Sequence, residues 1–329
     1  MALRWRVPPS VSQAMAEPSP VLVVGSLGLD TVKTPFGEAR DVLGGTSSYF
    51  SLAARIYTQV RVVAVVGTDF PTDYRDLLAR SSVDLRGLRV VEGKTFRWSG
   101  QYQYDMAVAE TLDTQLNVFA DFHPELPEDY RTTDYVFLAN IHPSLQLEVL
   151  DQVRLPKLVV VDSMNFWIQS SKPLLTEVLR RADIVLLNDA EVRQFAGTPN
   201  LIVGAKEILR LGPRAVVVKK GEHGALLISQ EDGVFVAPAY PQEDVRDPTG
   251  AGDSFAGGFL GYLASRDDPT PAAIRRAIIH GSAVASFTVE DFGVRRLEGI
   301  GSGEVLERYA AFRNLTQFVD EGVFIDQAV

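Results

Sequence analysis

The 329-residue sequence contains no cysteine. Disulfides, thiolate nucleophiles and zinc or iron–sulfur sites with cysteine ligands are therefore excluded. This absence fits a reducing compartment, and we expect a cytoplasmic protein. Histidine is also scarce, and its four positions lack the close spacing of a metal site: His123, His142, His223 and His280.

Long apolar runs are missing as well. No stretch approaches the roughly 20 residues that a membrane helix requires. Residues 1–20 carry two arginines and four prolines but no apolar core of a secretory signal. We predict that residues 1–20 are a disordered or loosely attached extension, and that residues 21–329 form the main domain.

Positive charge is in the minority, since 32 Lys and Arg residues face 42 Asp and Glu residues, giving a formal net charge of −10. Affinity for nucleic acid depends largely on clustered basic side chains that meet phosphates. We therefore expect neither nucleic acid nor a membrane as a partner.

Short apolar runs rich in β-branched residues recur along the chain. Most are separated by segments with helical periodicity, such as PLLTEVLRRA at 173–182. Strands without polar alternation, spaced by helices, indicate a parallel sheet covered on both faces. We predict an α/β fold with a doubly wound, mostly parallel sheet flanked by helices. The runs are VLVVG (21–25), VRVVAVVG (60–67), YVFLAN (135–140), KLVVVD (157–162), DIVLLN (183–188) and RAVVVKKG (214–221).

Two segments depart from this pattern. TFRWSGQYQYDMAVAE, residues 95–110, alternates aromatic and polar side chains with the period of two that is typical of a half-buried antiparallel strand. TVKTPFGEARDVLGG, residues 31–45, is similarly polar and contains a turn. We predict a small antiparallel β lid with segments near 31–43 and 94–118. A surface hairpin without a role is the alternative.

The stretch DPTGAGDSFAGGFLGYLA, residues 247–264, is rich in glycine although it has a helical pattern. A helix that begins near Gly252 presents unpaired amides at its N-terminus, and such an end binds anions, phosphate foremost. Glycine at positions 250 and 252 allows an anion to approach the backbone closely. The pattern predicts an anion hole at the amides of Gly250, Ala251 and Gly252.

Asp253 would then face the incoming anion. A carboxylate in that place is useful when a hydroxyl loses its proton while a phosphoryl group is transferred to it. We expect the helix N-terminus to lower the pKa of Asp253 and to keep it ionised. The alternative is that Asp253 only caps the helix.

The whole stretch resembles the D-T-x-G-A-G-D signature of the ribokinase or PfkB family of carbohydrate and nucleoside kinases. Further segments similar to family motifs follow in the family's order from residue 21 onward. They are GSLGLD (25–30), LGGTSSYFSLAA (43–54), VVAVVGTDF (62–70), LLNDAE (186–191), KKGEHGALL (219–227) and HGSAVASFTVEDFG (280–293).

The resemblance implies a kinase that uses ATP and Mg²⁺, with Asp253 as the base. It implies that Asn188 and Glu191 organise Mg²⁺ through water, since Mg²⁺ gives up its bound water reluctantly. Without the resemblance, these two residues read as helix capping. Lys219 stands where many relatives carry threonine, so a phosphate contact and a solvated lysine both remain open. The implied nucleotide-binding residues are Asn188, Lys219, Gly221, Gly224 and Thr249.

The resemblance also implies an acceptor site. Asp30 would accept hydrogen bonds from adjacent sugar hydroxyls, and Gly44 and Gly45 would bring the backbone against them, while Asp162 and Asn165 would face the substrate. Tyr49 stands where ribokinases commonly carry an asparagine, which argues against a ribokinase proper.

Four aromatic lid residues, together with Tyr49, favour a nucleoside acceptor by stacking, although aromatics serve packing more often. A free-sugar kinase and a catalytically silent binding protein are the alternatives. A homodimer through the lid is also considered. The lid residues are Phe96, Trp98, Tyr102 and Tyr104.

Overall fold

The computed structural model of the chain describes residues 18–317. The predicted extension, residues 1–20, therefore lies almost entirely outside the described residues. Its end contacts the domain, because the Ser19 amide donates to the Ala264 carbonyl (3.3 Å) and Thr58 Oγ1 donates to the Ser19 carbonyl (2.7 Å). The chain is thus attached to the domain at Ser19.

Strands and helices alternate along most of the described chain. The strands are β1 (Val21–Val24), β2 (Gly28–Thr34), β3 (Gly37–Gly44), β4 (Val60–Gly67), β5 (Val83–Val91), β6 (Phe96–Tyr102), β7 (Ala109–Gln115), β8 (Tyr135–Leu138), β9 (Leu158–Asp162), β10 (Ile184–Asn188), β11 (Ala215–Lys219), β12 (Ala225–Ser229) and β13 (Gly233–Ala237). The helices are α1 (Thr46–Ala54), α2 (Thr72–Arg80), α3 (Pro143–Gln152), α4 (Asn165–Ser170), α5 (Lys172–Arg180), α6 (Asp189–Ala196), α7 (Leu201–Leu209), α8 (Ala251–Arg266), α9 (Pro271–Thr288), α10 (Arg295–Gly299) and α11 (Ser302–Thr316). Within residues 18–317, no helix is both long and apolar enough to cross a bilayer.

Nine strands form the central sheet in the order β13-β12-β11-β10-β9-β8-β1-β4-β5. The pairs from β11 through β1 to β5 are parallel, and β12 and β13 add antiparallel edge strands. The predicted mostly parallel, doubly wound sheet is confirmed.

Each face of this sheet carries its own apolar core. Helices α1, α8 and α9 cover one face, and α3, α5, α6 and α7 cover the other. Alternate side chains of one strand therefore enter different cores: Val21 and Val23 face the first, whereas Leu22 and Val24 face the second. Burial on both faces explains why the strands are apolar without alternation.

The lid is a separate four-stranded sheet in the order β3-β2-β6-β7. Its outer pairs, β2 with β3 and β6 with β7, are antiparallel, as predicted. The central pair, β2 with β6, is parallel, and Asp30 lies opposite Trp98 in its register. The chain must leave the lid between these strands to build β4 and β5 of the central sheet, so a hairpin could not join β2 to β6.

The glycines inside α8 permit close packing of this helix. A Cβ at Gly257 would lie 2.4 Å from the Phe50 carbonyl oxygen of α1, and a Cβ at Gly258 would lie 3.1 Å from Gly281 Cα of α9. Glycine has a low helix propensity, but at these two positions it allows the backbones of three helices to come together. The position of the α8 N-terminus follows from this contact.

We predict that Gly257→Ala destabilises the protein by about 1 to 3 kcal/mol, because the added methyl overlaps the α1 backbone. The matched control is Gly303→Ala in α11, where a Cβ meets no atom within 4 Å. That variant should gain up to about 1 kcal/mol. Urea unfolding of both variants tests this, and equal stabilities would show that the α8 contact is not tight.

Candidate active site

The candidate site lies where the carboxyl ends of the parallel strands meet the N-terminus of α8. Strand β9 ends at Asp162, β10 at Asn188 and β11 at Lys219, while Asp253 lies in the first turn of α8. In open α/β sheets, ligands bind at this edge.

The N-terminus of α8 is built to leave backbone donors free. Gly250 adopts the left-handed conformation (φ 75°), and no side chain caps the helix. The Ala251 amide donates to the Pro248 carbonyl (3.2 Å). Within residues 18–317, nothing accepts the amide hydrogens of Gly250 and Gly252. Two of the three predicted anion-hole amides are therefore available to an anion, and that role stays a prediction.

The predicted low pKa of Asp253 is wrong. Burial raises its pKa to about 7, and the negative charge of Asp162 adds to the rise. Lys219 and the hydroxyl of Thr46, which hydrogen-bonds the carboxylate, lower the pKa by less. The prediction considered only the helix end, whereas desolvation and a second carboxylate outweigh that field. A carboxyl with a pKa near 7 is a better base than the sequence suggested.

Asp162 and Lys219 form a buried ion pair. Lys219 Nζ lies 2.6 Å from Asp162 Oδ2, and the two side chains are 16% and 4% exposed. Asp162 Oδ1 accepts from the Ser163 amide at 2.8 Å. Both oxygens of Asp162 are thus engaged by protein groups, and the substrate contact of this residue stays a prediction.

Asn188 and Glu191 form a capping box at the start of α6. Asn188 Oδ1 accepts from the Glu191 amide (2.8 Å), and Glu191 Oε2 accepts from the Asn188 amide (2.7 Å). Burial raises the pKa of Glu191, and the charge of Asp162 raises it further. Glu191 Oε1 has no protein donor among the described residues. The capping role is present, and one carboxylate oxygen remains free.

Asp30 lies against the two glycines that precede α1. Its carboxylate accepts from the Gly45 amide, and burial raises its pKa to about 7. A Cβ at Gly44 would lie 2.0 Å from Asp30 Oδ2, so any larger residue at this position would displace the Asp30 carboxylate. The structure thus brings together Asp30, Gly44 and Gly45, which the sequence grouped as acceptor residues.

Two tyrosines lie close to Asp30 and Asp253. The ring of Tyr49 packs on Gly250, and its buried hydroxyl has no hydrogen-bond partner among the described residues. The hydroxyl of Tyr102 accepts from Thr249 Oγ1 at 3.4 Å. Burial raises the pKa of both tyrosines, and the charges of Asp30 and Asp253 add to this effect. Both rings therefore border the predicted acceptor site.

The remaining aromatic lid residues have other positions. The ring of Phe96 contacts that of Phe119 at a centroid distance of 5.7 Å. Trp98 Nε1 donates to Thr111 Oγ1 (3.2 Å), and Tyr104 is 88% exposed. These three rings pack within the lid and its base or face solvent. Tyr49 is 1% exposed, so the stacking hypothesis is left with Tyr102.

Asn165 is not brought into this cluster by any described contact. It is exposed at the start of α4, and its Oδ1 accepts from the adjacent Phe166 amide at 2.9 Å. Gly221 and Gly224 both have positive φ, of 54° and 80°, in the turn that follows β11. This turn lies directly beyond Lys219, on the side assigned to the nucleotide.

Asp247 is a buried residue of the site that the sequence analysis missed. It is 1% exposed, and its two oxygens accept from the amides of Thr249 (2.9 Å) and Gly293 (3.1 Å). It fixes the loop before α8 to the loop after α9. Its place at the head of the DPTGAGD stretch was the available signal. Thr46, which hydrogen-bonds Asp253, offered no such signal.

Asp253→Asn should stabilise the free protein at pH 8. Because the folded pKa (about 7) exceeds that of an unfolded aspartate (about 4), folding is favoured at low pH, and this advantage is lost between pH 4 and 7. Above pH 7 the fold carries an ionised, desolvated carboxylate that asparagine removes.

We expect a gain of roughly 1 to 3 kcal/mol at pH 8 that shrinks towards pH 4.5, less than the full shift implies because Asp253 keeps some solvent contact. Urea unfolding at both pH values measures it. Exposed Asp76→Asn is the control and should change stability by less than about 0.5 kcal/mol. A loss of stability at pH 8 would contradict the electrostatic account.

Comparisons with known proteins show which family the chain resembles. The family described as pfkB family carbohydrate kinase matches residues 40–298. A cytidine kinase of Thermococcus kodakarensis is 30% identical over 260 residues, which cover 78% of this chain and 92% of that protein. A nucleoside kinase of Methanothermobacter thermautotrophicus is 28% identical over 319 residues, covering 90% of this chain and 97% of that protein.

Among solved structures, the nucleoside kinase of Methanocaldococcus jannaschii, described as an archaeal member of the ribokinase family, has a TM-score of 0.74 at 21% identity. The match covers 90% of this chain and 100% of that one, which confirms the ribokinase-like fold. Since the family match spans most of the chain and includes Asp253 with its free amides, the chain belongs to the pfkB family of carbohydrate kinases and is an enzyme that phosphorylates a hydroxyl acceptor with ATP.

Proposed function

We propose that the protein transfers the γ-phosphoryl group of ATP to a primary hydroxyl of a nucleoside. The observation that carries this proposal is Asp253, a carboxyl with a pKa of about 7, beside the free amides at the N-terminus of α8. The cytidine and nucleoside kinases among the relatives support the choice of a nucleoside.

The chemistry follows from this arrangement. The acceptor hydroxyl gives its proton to the Asp253 carboxylate while its oxygen forms a bond to the γ-phosphorus. The bond between that phosphorus and the β-phosphate oxygen breaks, and ADP leaves with the electron pair. The amides of Gly250 and Gly252 stabilise the charge on the transferring group. Phosphoryl transfer depends mainly on positioning and such stabilisation.

Magnesium is part of the proposal. Among residues 18–317, no group of three acidic or histidine side chains could hold a metal ion directly. The free Oε1 of Glu191 and the amide oxygen of Asn188 suit contacts through water, which Mg²⁺ retains. Bound Mg²⁺ would neutralise charge on the ATP phosphates. Gly221 and Gly224 would lie along the nucleotide, and Thr249 beside it.

The acceptor would lie beside Asp30 and Tyr102. Asp30 can accept hydrogen bonds from adjacent ribose hydroxyls, since its carboxylate meets the backbone at Gly44 and Gly45. Tyr102 is partly exposed and offers ring surface at the same place, whereas the ring of Tyr49 is buried against Gly250. A nucleoside has both ribose hydroxyls for Asp30 and a planar base for the aromatic ring, whereas a free sugar has only the hydroxyls.

The purified protein should form ADP from Mg²⁺-ATP with a nucleoside in a panel of nucleosides, pentoses and hexoses. Asp253→Asn should lower kcat by about 10² to 10⁴-fold and leave ATP binding nearly unchanged. Asp76→Asn serves as the control and should keep wild-type turnover.

Each result of this panel has a distinct meaning. Unchanged turnover in Asp253→Asn would refute the role of Asp253 as the base. Activity on free sugars alone would refute the nucleoside acceptor. ATP binding without turnover on any acceptor would favour a silent binding protein.

We also propose that two copies associate through the lid. β7 is an edge strand, and four large apolar side chains in or beside it are 48% to 88% exposed. Exposed apolar patches at a strand edge are typical of interaction surfaces. The four residues are Tyr104, Val108, Leu112 and Leu116.

Leu112→Arg should convert a dimer into a monomer, because a charge would be buried at the lid interface. Leu155→Arg, at a 95% exposed position outside the lid, is the control and should leave the mass unchanged. Sedimentation velocity measures both. A wild-type protein that sediments as a monomer at all concentrations would exclude the dimer.

A further inference from the structure

Lys219 is a cation that interacts with three carboxylates of the site, those of Asp162, Glu191 and Asp253. Lys219 is the cation that lowers the pKa values of both Asp253 and Glu191, and it binds Asp162 directly. Burial alone would lower the pKa of Lys219, but the surrounding carboxylates raise it above its usual value. Lys219 is therefore a charged ammonium in a mostly desolvated place.

The ammonium lies beside the anion hole. A Cβ at Gly252 would be 3.2 Å from Lys219 Nζ, so the absence of a side chain at Gly252 allows the lysine to approach the first turn of α8. The free Gly252 amide belongs to the same residue. The Lys219 ammonium therefore lies next to the residue that carries the free backbone donor.

The pair is not explained by stability alone. A buried ion pair gains little over apolar residues of similar size, because both charges lose their hydration. An ammonium has three donors, and among the described residues Asp162 is the side chain that accepts from Lys219. Asp162 is itself held through Oδ1 by the Ser163 amide. The lysine is thus fixed by one contact and keeps donors for another.

Building on the proposed function, we propose that Lys219 is a catalytic residue whose ammonium contacts the γ-phosphoryl group during its transfer. Asp162 is the positioning residue that holds the ammonium beside Gly252. No proton leaves Lys219: the acceptor proton still goes to Asp253, and the lysine charge offsets the charge shared by the transferring group and ADP. This assigns to Asp162 a role different from the substrate contact predicted from the sequence.

Loss of Lys219 should then reduce kcat more than loss of Asp162. We compare Lys219→Met, Asp162→Asn and the double variant, with Lys157→Met as the control for loss of a surface ion pair. Each single variant leaves one buried group unpaired and should lower the melting temperature by roughly 5 to 10 °C. The double variant should recover most of that loss.

Activity should not follow stability. Lys219→Met should lower kcat by about 10² to 10³-fold, whereas Asp162→Asn, which keeps the ammonium, should lower it by about tenfold or less. The double variant should remain as slow as Lys219→Met despite its recovered stability. Lys157→Met should keep wild-type kcat.

Nucleotide binding gives a readout that does not need turnover. Lys219→Met should weaken ATP binding by about 10 to 100-fold, the usual effect of a charge-assisted hydrogen bond. It should leave the Kd for ADP unchanged, because ADP differs from ATP only in lacking the terminal phosphate. Isothermal titration calorimetry with both nucleotides measures this.

Three results would overturn the inference. Equal losses of kcat in the two single variants, a double variant that regains both stability and kcat, or parallel losses of ATP and ADP binding would overturn the contact of Lys219 with the γ-phosphoryl group. A wild-type protein that is silent on every acceptor refutes the proposed function instead. In that case the ATP and ADP affinities still decide whether Lys219 contacts the terminal phosphate.

Discussion

The close contact of α8 with α1 and α9 is the constraint on which the site depends. Gly257 and Gly258 let the three helix backbones meet, and the N-terminus of α8 is thereby fixed above the ends of the parallel strands. The free amides and Asp253 occupy that end. Close packing transmits small displacements, so the reacting groups are placed by a contact several residues further along the helix.

The second determinant is the concentration of negative charge at the same edge. Asp30, Glu191 and Asp253 are each driven towards protonation mainly by burial. A kinase has to accept an anionic nucleotide here, and a site of fully ionised carboxylates would repel it. Raised pKa values, the Lys219 ammonium and the helix end all reduce that repulsion. Burial and the charge of Asp162, which raise the pKa of Asp253, also make it a stronger base than a solvated aspartate.

The fold followed from local patterns because buried parallel strands have no polar alternation, and each predicted run between residues 21 and 219 lies on a strand of the central sheet. The glycine-rich start of α8 and the grouping of Asp30 with Gly44 were likewise readable in short stretches. Contacts between residues far apart in the sequence could not be read in this way. Asp162 and Lys219 are 57 positions apart, and no pattern in either strand indicates that they pair.

The prediction of a low pKa for Asp253 failed for the same reason. Its burial and its proximity to the charge of Asp162 arise only when the chain folds. The substrate contact predicted for Asn165 stays a prediction, because Asn165 is exposed at the start of α4 and its described hydrogen bond is to the adjacent Phe166 amide.

The placement of Asp30 on β2 has a thermodynamic consequence. This strand belongs to the lid sheet, yet its carboxylate meets the backbone of Gly44 and Gly45 at the start of α1. A sugar that binds Asp30 is therefore held by the lid itself, and its binding free energy is linked to the position of the lid. Linkage is reciprocal, so whatever favours a closed lid also tightens the grip on the acceptor.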